Sequence, residues 1–384
     1  MQVMQTRSLR RFTTVLAALV LAGGAAACGV GSGDDSGGAD GSGGVAKSAE
    51  VKKAMQPTER YTVPSEPLDP AKLKGRTIHY IPLNQQVPAF AVTARNMTRA
   101  AELVGMKVQV CDGGANPSQI SGCVDRAAGA QAGAIIADSI PYGMAQNSFD
   151  KAVGEKIPVV VMDQIRPDGT KDTEEVAYLP GAIQMQQVLA RWAIDDSGGS
   201  ANVVVSMLQD SPSTVAYVEK YAMPTYKNEC GDCEVSINKV SAANFQRIAP
   251  TTSAALLKNP DAKYLQVEFE DILQPTLEAV RQANRTDIKV AVSGVTTAGL
   301  EILKNGGPVK AGLAQHFPYQ GWASLDLAMR MMLGMEPEEY VTPVRLITSE
   351  NIGGIELTAE AQASGAWFGT PSYEEEFKKL WDVR

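Results

Sequence analysis

From Gly75 to Gly334 the chain alternates short apolar runs with stretches whose apolar residues recur at helical spacing, and the alternation comes in two successive sets. In the first set, Thr77–Ile81, Lys107–Val110, Gly133–Ala137 and Ile157–Met162 read as strands. Ala94, Met97, Ala101 and Val104 mark a helix that stops at Gly105, and Asn116-Pro117 opens another as N-cap and first residue. The second set has strands at Glu175–Leu179, Asn202–Ser206, Glu234–Val240, Lys263–Val267 and Lys289–Val292. Helices near residues 185–198, 213–227, 244–257 and 271–283 separate them, and a last one spans residues 318–333. Short strands buried on both faces and joined by amphipathic helices make parallel sheets. The predicted fold is therefore α/β, with two doubly wound, Rossmann-like domains. In such domains ligands bind beyond the carboxyl ends of the strands, so the loops after each strand are where function belongs.

The first 28 residues have a separate logic. Arg7, Arg10 and Arg11 form a basic start, Phe12 to Ala27 carries no charge, and Ala25-Ala26-Ala27 precedes Cys28. Basic, then apolar, then small is the order of a secretory signal, and the apolar stretch is short for a permanent span. The segment resembles the bacterial lipoprotein lipobox, with Ala25 where Leu is usual. Residues 1–27 are expected to be removed and Cys28 to carry lipid, anchoring the protein on the outer face of the cell membrane. Gly29 to Gly44 is almost wholly Gly, Ser, Asp and Ala, which suits a tether; it is expected to extend over residues 28–73.

Five cysteines are present, and Cys28 leaves four. An even number in an oxidising compartment suggests two disulfides, Cys111 with Cys123 and Cys230 with Cys233. A Cys-x-x-Cys at 230–233 is also compatible with a redox centre or half a zinc site. However, a strand follows instead of a helix, and zinc needs two further ligands. A net charge of −8 and an isoelectric point near 5.1 argue against a nucleic-acid partner.

Catalytic signatures are scarce. The chain has two histidines, His79 and His316, and lacks a G-x-S-x-G elbow, a Walker loop and G-x-G-x-x-G. Asp196-Ser197-Gly198-Gly199 reads as a helix stop. Met329, Met331, Met332 and Met335 fall at helical spacing, which fits core filling better than a metal surface. No enzyme, metal or cofactor is expected.

Three segments, Asp112 to Gln119, Ala134 to Ala137 and Ile157 to Asp163, resemble the first lobe of ribose-type periplasmic binding proteins. Gln320 to Asp326 and Tyr373 to Trp381 are similar to later landmarks of sugar-transporter lipoproteins of Gram-positive bacteria. The resemblance implies periplasmic binding protein type 1 architecture, two lobes joined by a three-strand hinge. The crossings are expected near Tyr178, His316 and Pro343. One lobe then comprises residues 74–177 and 317–342, the other residues 178–316 and 343–384 with the tail. It also implies a monomer that captures a small solute between its lobes and delivers it to an ABC permease.

The resemblance places Phe90, Asp163, Gln164, Tyr217, Phe269, Glu270, Ser293 and His316 at the ligand, with Gln315 as the alternative to His316. Pro88 matches the family's first turn, while Val87 and Ala89 replace its Asn and first Phe. Gln164 and Tyr217 stand where arginines are common, and Ser293 where an Asp is. Sugar sites grip hydroxyls with carboxylates, amides and Arg forks. Losing both arginines favours a neutral solute, sugar or sugar-like. A sensory lipoprotein and a binder of a non-sugar organic or aromatic compound are the alternatives.

Overall fold

The structure is a computed structural model and describes residues 47–370 and 372–383. Cys28, the signal and the glycine-rich run lie outside the described residues. Helix α1 (Ala49–Met55) comes first, followed by β1 (Thr77–Pro82), α2 (Pro88–Leu103), β2 (Lys107–Val110), α3 (Pro117–Gly129), β3 (Ala134–Asp138), α4 (Gln146–Gly154), β4 (Val159–Met162) and β5 (Val176–Leu179). The sheet order is β2-β1-β3-β4-β5, with every pair parallel. Alternation splits each central strand between two cores. Ile136, Val160 and Met162 face the layer of α2, whereas Ile135, Val159 and Val161 face that of α3 and α4. Asn116 caps α3 by accepting from the N–H groups of Ser118 and Gln119, with Pro117 behind it as expected.

The second lobe contains α5 (Met185–Ser197), β6 (Asn202–Leu208), α6 (Pro212–Ala216), α7 (Met223–Glu229), β7 (Glu234–Val240), α8 (Ile248–Lys258), β8 (Tyr264–Val267), α9 (Leu273–Gln282), β9 (Lys289–Ser293), α10 (Thr297–Lys304) and β10 (Val309–Gln315). Next come α11 (Phe317–Met332), β11 (Val344–Thr348), α12 (Ala359–Ser364) and α13 (Tyr373–Leu380). The second sheet runs β11-β10-β9-β8-β6-β7 and is parallel except for the antiparallel pair β10–β11. The helix expected near residues 213–227 is broken: Tyr217–Ala222 winds as a π-helix between α6 and α7.

After Leu179 the chain leaves the first sheet for α5. It returns after Gln315, because α11 packs into the first lobe's core through Trp322, Leu325 and Met329. It crosses once more before β11. Two further segments also cross. Val51, Ala54 and Met55 of α1 are buried in the second lobe's core, while Tyr61, Leu68 and Leu73 join the first lobe's core. At the other end, Trp367 and Phe368 belong to the second lobe and Tyr373, Phe377 and Trp381 to the first. The two segments touch where the Thr58 N–H donates to the Phe368 carbonyl at 2.8 Å. Residues 47–73 are therefore not tether, and the second lobe does not keep all of residues 343–384. Large aromatic side chains anchor both segments, and burying them outweighs the polar, Pro-rich composition between.

Candidate functional site

Asp163, at the carboxyl end of β4, and Tyr217, beyond the carboxyl end of β6, come together beside Gly181, where the chain passes from the first sheet to the second lobe. Asp163 follows β4 directly, with φ of 55°, a left-handed conformation that Asp tolerates because its short side chain finds local partners. Its N–H donates to the Leu179 carbonyl at 2.8 Å. Asp163 Oδ1 accepts from Gln320 Nε2 at 2.7 Å and from Gln315 Nε2 at 3.1 Å. The two amides are themselves linked, Gln315 Nε2 donating to Gln320 Oε1 at 2.7 Å. Elements from both sides of the hinge, β10 and α11, thus hold one carboxylate.

Behind Asp163 stands Asp138, the last residue of β3 and fully buried. Tyr80 donates its phenol to Asp138 Oδ2, and Ser139 Oγ donates to Oδ1 at 3.2 Å. Burial first, and the neighbouring Asp163 charge second, push the Asp138 carboxyl well above the usual carboxylate range. Burial raises Asp163 as well, but donors from Gln320, Asp138 and Gln315 pull it back. Two such carboxyls side by side cannot both ionise. Asp138 is the member pushed higher, and Asp163, with its amide donors, is the one favoured as the anion.

The second lobe contributes Tyr217 at the head of the π-helical turn. It is buried, and its ring meets Phe269 edge-to-face with centroids 5.9 Å apart. Burial first, then the charges of Asp163 and Glu268, hold the Tyr217 phenol protonated well above its ordinary range. The lobes also touch at the edge of the site. The Ile165 N–H donates to Ser213 Oγ at 2.9 Å, and Lys220 pairs with Asp168 at 2.6 Å.

The sequence-predicted residues divide. Asp163, Tyr217 and Phe269 come together. Gln164 is adjacent and buried, its amide turned to the Asp163 carbonyl at 3.0 Å. Phe90 is half-buried in the first turn of α2, outside the apolar core clusters.

Three expectations need correcting. The Glu270 carboxylate turns away to the start of α10, accepting from the Thr296 N–H and hydroxyl and from the Gly299 N–H. The Ser293 hydroxyl is spent on the Glu268 carbonyl while accepting from Gln186 Nε2 at 3.0 Å. His316 points the opposite way from Gln315, because successive residues leaving a strand alternate in direction. Its ring stacks on Phe368 at 4.2 Å and meets Tyr61 edge-on at 5.4 Å, and Nδ1 accepts from the Tyr319 N–H at 3.2 Å. Burial lowers the His316 pKa to about 3. Gln315, the alternative, turns its amide to Asp163 Oδ1.

Sequence reasoning missed Asp138, Tyr80, Gln320 and Glu268. Both overlooked acids carry the same signal, a lone carboxylate ending an apolar strand at the face where ligands bind.

The site offers one anionic carboxylate, two side-chain amides, two phenols and an aromatic pair, the set that grips a hydroxylated solute with an apolar edge. Neither Asp138 nor Asp163 forms an ion pair among the described residues. Among these residues no group of three or more His, Cys, Asp or Glu side chains could hold a metal ion, and no helix is long and apolar enough to cross a membrane.

Solved structures with the same architecture include three solute-binding proteins. One is an ABC transporter solute-binding protein of Agrobacterium vitis bound with α-D-tagatopyranose. It is 19% identical, with a TM-score of 0.64, and the match covers 72% of this chain and 96% of that one. A 5-methylthioribose transporter solute-binding protein of Thermotoga lettingae, in complex with 5-methylthioribose, is 15% identical with a TM-score of 0.65, covering 84% and 99%. The Caulobacter myo-inositol binding protein, bound to myo-inositol, is 20% identical with a TM-score of 0.63, covering 72% and 95%. At these identities the likeness is one of fold. Comparison with curated protein sequences gives no match. The family model for the periplasmic binding protein domain matches residues 78–336, about two thirds of the sequence, and the chain belongs to that family.

Proposed function

We propose that this protein is an extracytoplasmic solute-binding lipoprotein of an ABC importer. It captures a small neutral solute, sugar or sugar-like, between its lobes and delivers it to a permease. One observation carries the reading: Asp163, held by amides from β10 and α11, stands opposite Tyr217 at the hinge end of the cleft. A carboxylate so fixed accepts hydroxyl donors, and lobe closure strengthens each hydrogen bond by removing water. The sugars and polyol bound by proteins of the same architecture support this class. An anion would face Asp163, which has no cationic partner among the described residues to offset it. Turnover is not expected, since no nucleophile and base are paired here.

Lipidation at Cys28 after removal of residues 1–27 would hold the lobes near the permease, with the tether shortened to the residues before α1. The protein would act as a monomer. The Sγ atom of Cys111 is paired with that of Cys123, and that of Cys230 with that of Cys233. Both pairs are proposed as disulfides, in keeping with an oxidising compartment.

The edge-to-face pair of Tyr217 and Phe269 favours one variant of the reading, a solute with an aromatic or alkyl edge. A thermal-shift screen against tagatose, allose, myo-inositol, ribose, 5-methylthioribose and small aromatics tests the class. Stabilisation by sugars or polyols supports it; stabilisation by inorganic or organic anions alone contradicts it. Detergent-phase partitioning of wild type, lost in Cys28→Ser, tests the anchor.

A further inference from the structure

Glu268 follows β8 directly, at the ligand-binding end of the second sheet, and is fully buried. One carboxyl oxygen, Oε2, accepts from the Leu208 N–H at 2.6 Å. The other, Oε1, has no hydrogen-bond partner among the described residues. Among the described residues, neither Asp163 nor Glu270 has a buried oxygen left without a partner in this way. Leaving a buried polar atom unmatched is costly, and proteins rarely do so without a use for it.

The backbone of Glu268 is fixed with unusual care. Its carbonyl accepts from Gln186 Nε2 at 2.9 Å and from the Ser293 hydroxyl. Gln186 in turn accepts from Gln266 Nε2 at 2.8 Å, and Gln266 accepts from the Tyr226 hydroxyl at 2.7 Å. This buried chain of polar groups runs along one face of the second sheet and ends at Glu268. Its residues can change rotamer only by breaking the chain, so the Glu268 backbone is set in place before a solute arrives, and the Leu208 N–H holds the carboxyl itself. Tyr217 is close enough to both Asp163 and Glu268 for each to raise its phenol, and burial pushes the Glu268 carboxyl itself well above the usual carboxylate range.

We propose that Glu268 is the carboxyl group through which the second lobe reads the solute, its free oxygen pairing with a solute hydroxyl while Asp163 takes another from the first lobe. The assignment rests on the neutral, hydroxylated-solute reading given above. It makes Glu268 a specificity-determining residue, and it explains why Ser293 and Gln186 are turned toward a backbone carbonyl. A solute lacking a hydroxyl at that position would leave the oxygen unmatched and bind correspondingly more weakly.

The test is calorimetric titration of wild type, Glu268→Met and Glu270→Gln with tagatose, allose, ribose, myo-inositol and 5-methylthioribose. Glu268→Met keeps about the same side-chain length but can neither donate to nor accept from a solute hydroxyl. For any sugar or polyol that wild type binds, Glu268→Met should weaken affinity about tenfold or more. Glu270→Gln should leave affinity within about twofold and lower thermal stability instead, because its carboxylate caps α10. Should Glu268→Met fail to fold, Glu268→Asp gives the same comparison, since it withdraws the oxygen by one methylene. Wild-type binding with equal affinity in the Glu268 variants would overturn the assignment and leave the solute reading standing. A wild-type protein that binds none of the five would overturn both.

Discussion

Asp163 Oδ1 and Tyr217 Oη converge on the same spot beside the hinge residue Gly181. A methyl group added to Gly181 would lie 2.7 Å from the first and 3.1 Å from the second. The first lobe's carboxylate and the second lobe's phenol thus share a space that only glycine leaves open. Gly181→Ala should displace one of them and weaken solute affinity about tenfold or more, a loss comparable to one charge-assisted hydrogen bond. Gly129→Ala, where the methyl meets nothing within 4 Å, serves as the control and should leave affinity unchanged. Titration of both variants checks this.

Two buried groups bend the stability curve in opposite directions. His316 is held neutral down to a pKa of about 3, well below its value in the unfolded chain. Between about pH 6.5 and pH 3 the unfolded state therefore binds the extra proton, and stability falls as pH falls. Asp138 is raised well above its unfolded value, so it favours the folded state most at low pH and loses that advantage as pH rises above about 4. Urea unfolding should accordingly show a shallower loss between pH 6.5 and 4.5 in His316→Gln than in wild type, by about 2–3 kcal/mol at the lower pH. Asp138→Asn should steepen the same profile. Parallel curves for all three proteins would contradict both assignments.

Much of the fold was legible because it rests on patterns with a fixed period. The runs at Gly133–Ala137 and Ile157–Met162 became the fully buried strands β3 and β4 because every position in them meets a helix layer. Asp163 was legible from the motif that carries it. Glu268 was not, because sequence reading set the second lobe's carboxylate two residues further on. There the chain has already turned into the 3-10 helix Glu270–Ile272, which swings Glu270 onto α10. Residues 47–73 read as linker for the same kind of reason: the partners of Tyr61 are His316, Tyr319 and Tyr373, all more than 250 positions away. Such contacts leave no periodic trace.

The terminal segments should matter to stability as much as the lobes themselves. Tyr61 is 8% exposed and packs among His316, Tyr319 and Tyr373. Tyr61→Ala should cost about 3–5 kcal/mol, the usual range for deleting a buried aromatic side chain. An exposed tether residue would cost nothing measurable, so denaturant unfolding separates the two descriptions.

The two cysteine pairs close loops of very different length, with sequence separations of 12 and 3. Replacing Cys111 and Cys123 by Ser should lower stability by about 3 kcal/mol, and replacing Cys230 and Cys233 by about 2 kcal/mol. Alkylation of the unfolded, unreduced protein should leave all four thiols unmodified. Modification of either pair without a reducing agent would contradict its assignment.

The central claim is that Asp163 anchors a neutral, hydroxylated solute between the lobes. Its most direct test is calorimetric titration of wild type and Asp163→Ala with the sugar or polyol that most stabilises the protein in the thermal-shift screen. The account predicts saturable binding by wild type and a loss of about a hundredfold or more in the variant, since truncation also leaves the amides of Gln315 and Gln320 unpaired. Equal affinity in a folded Asp163→Ala protein would contradict it.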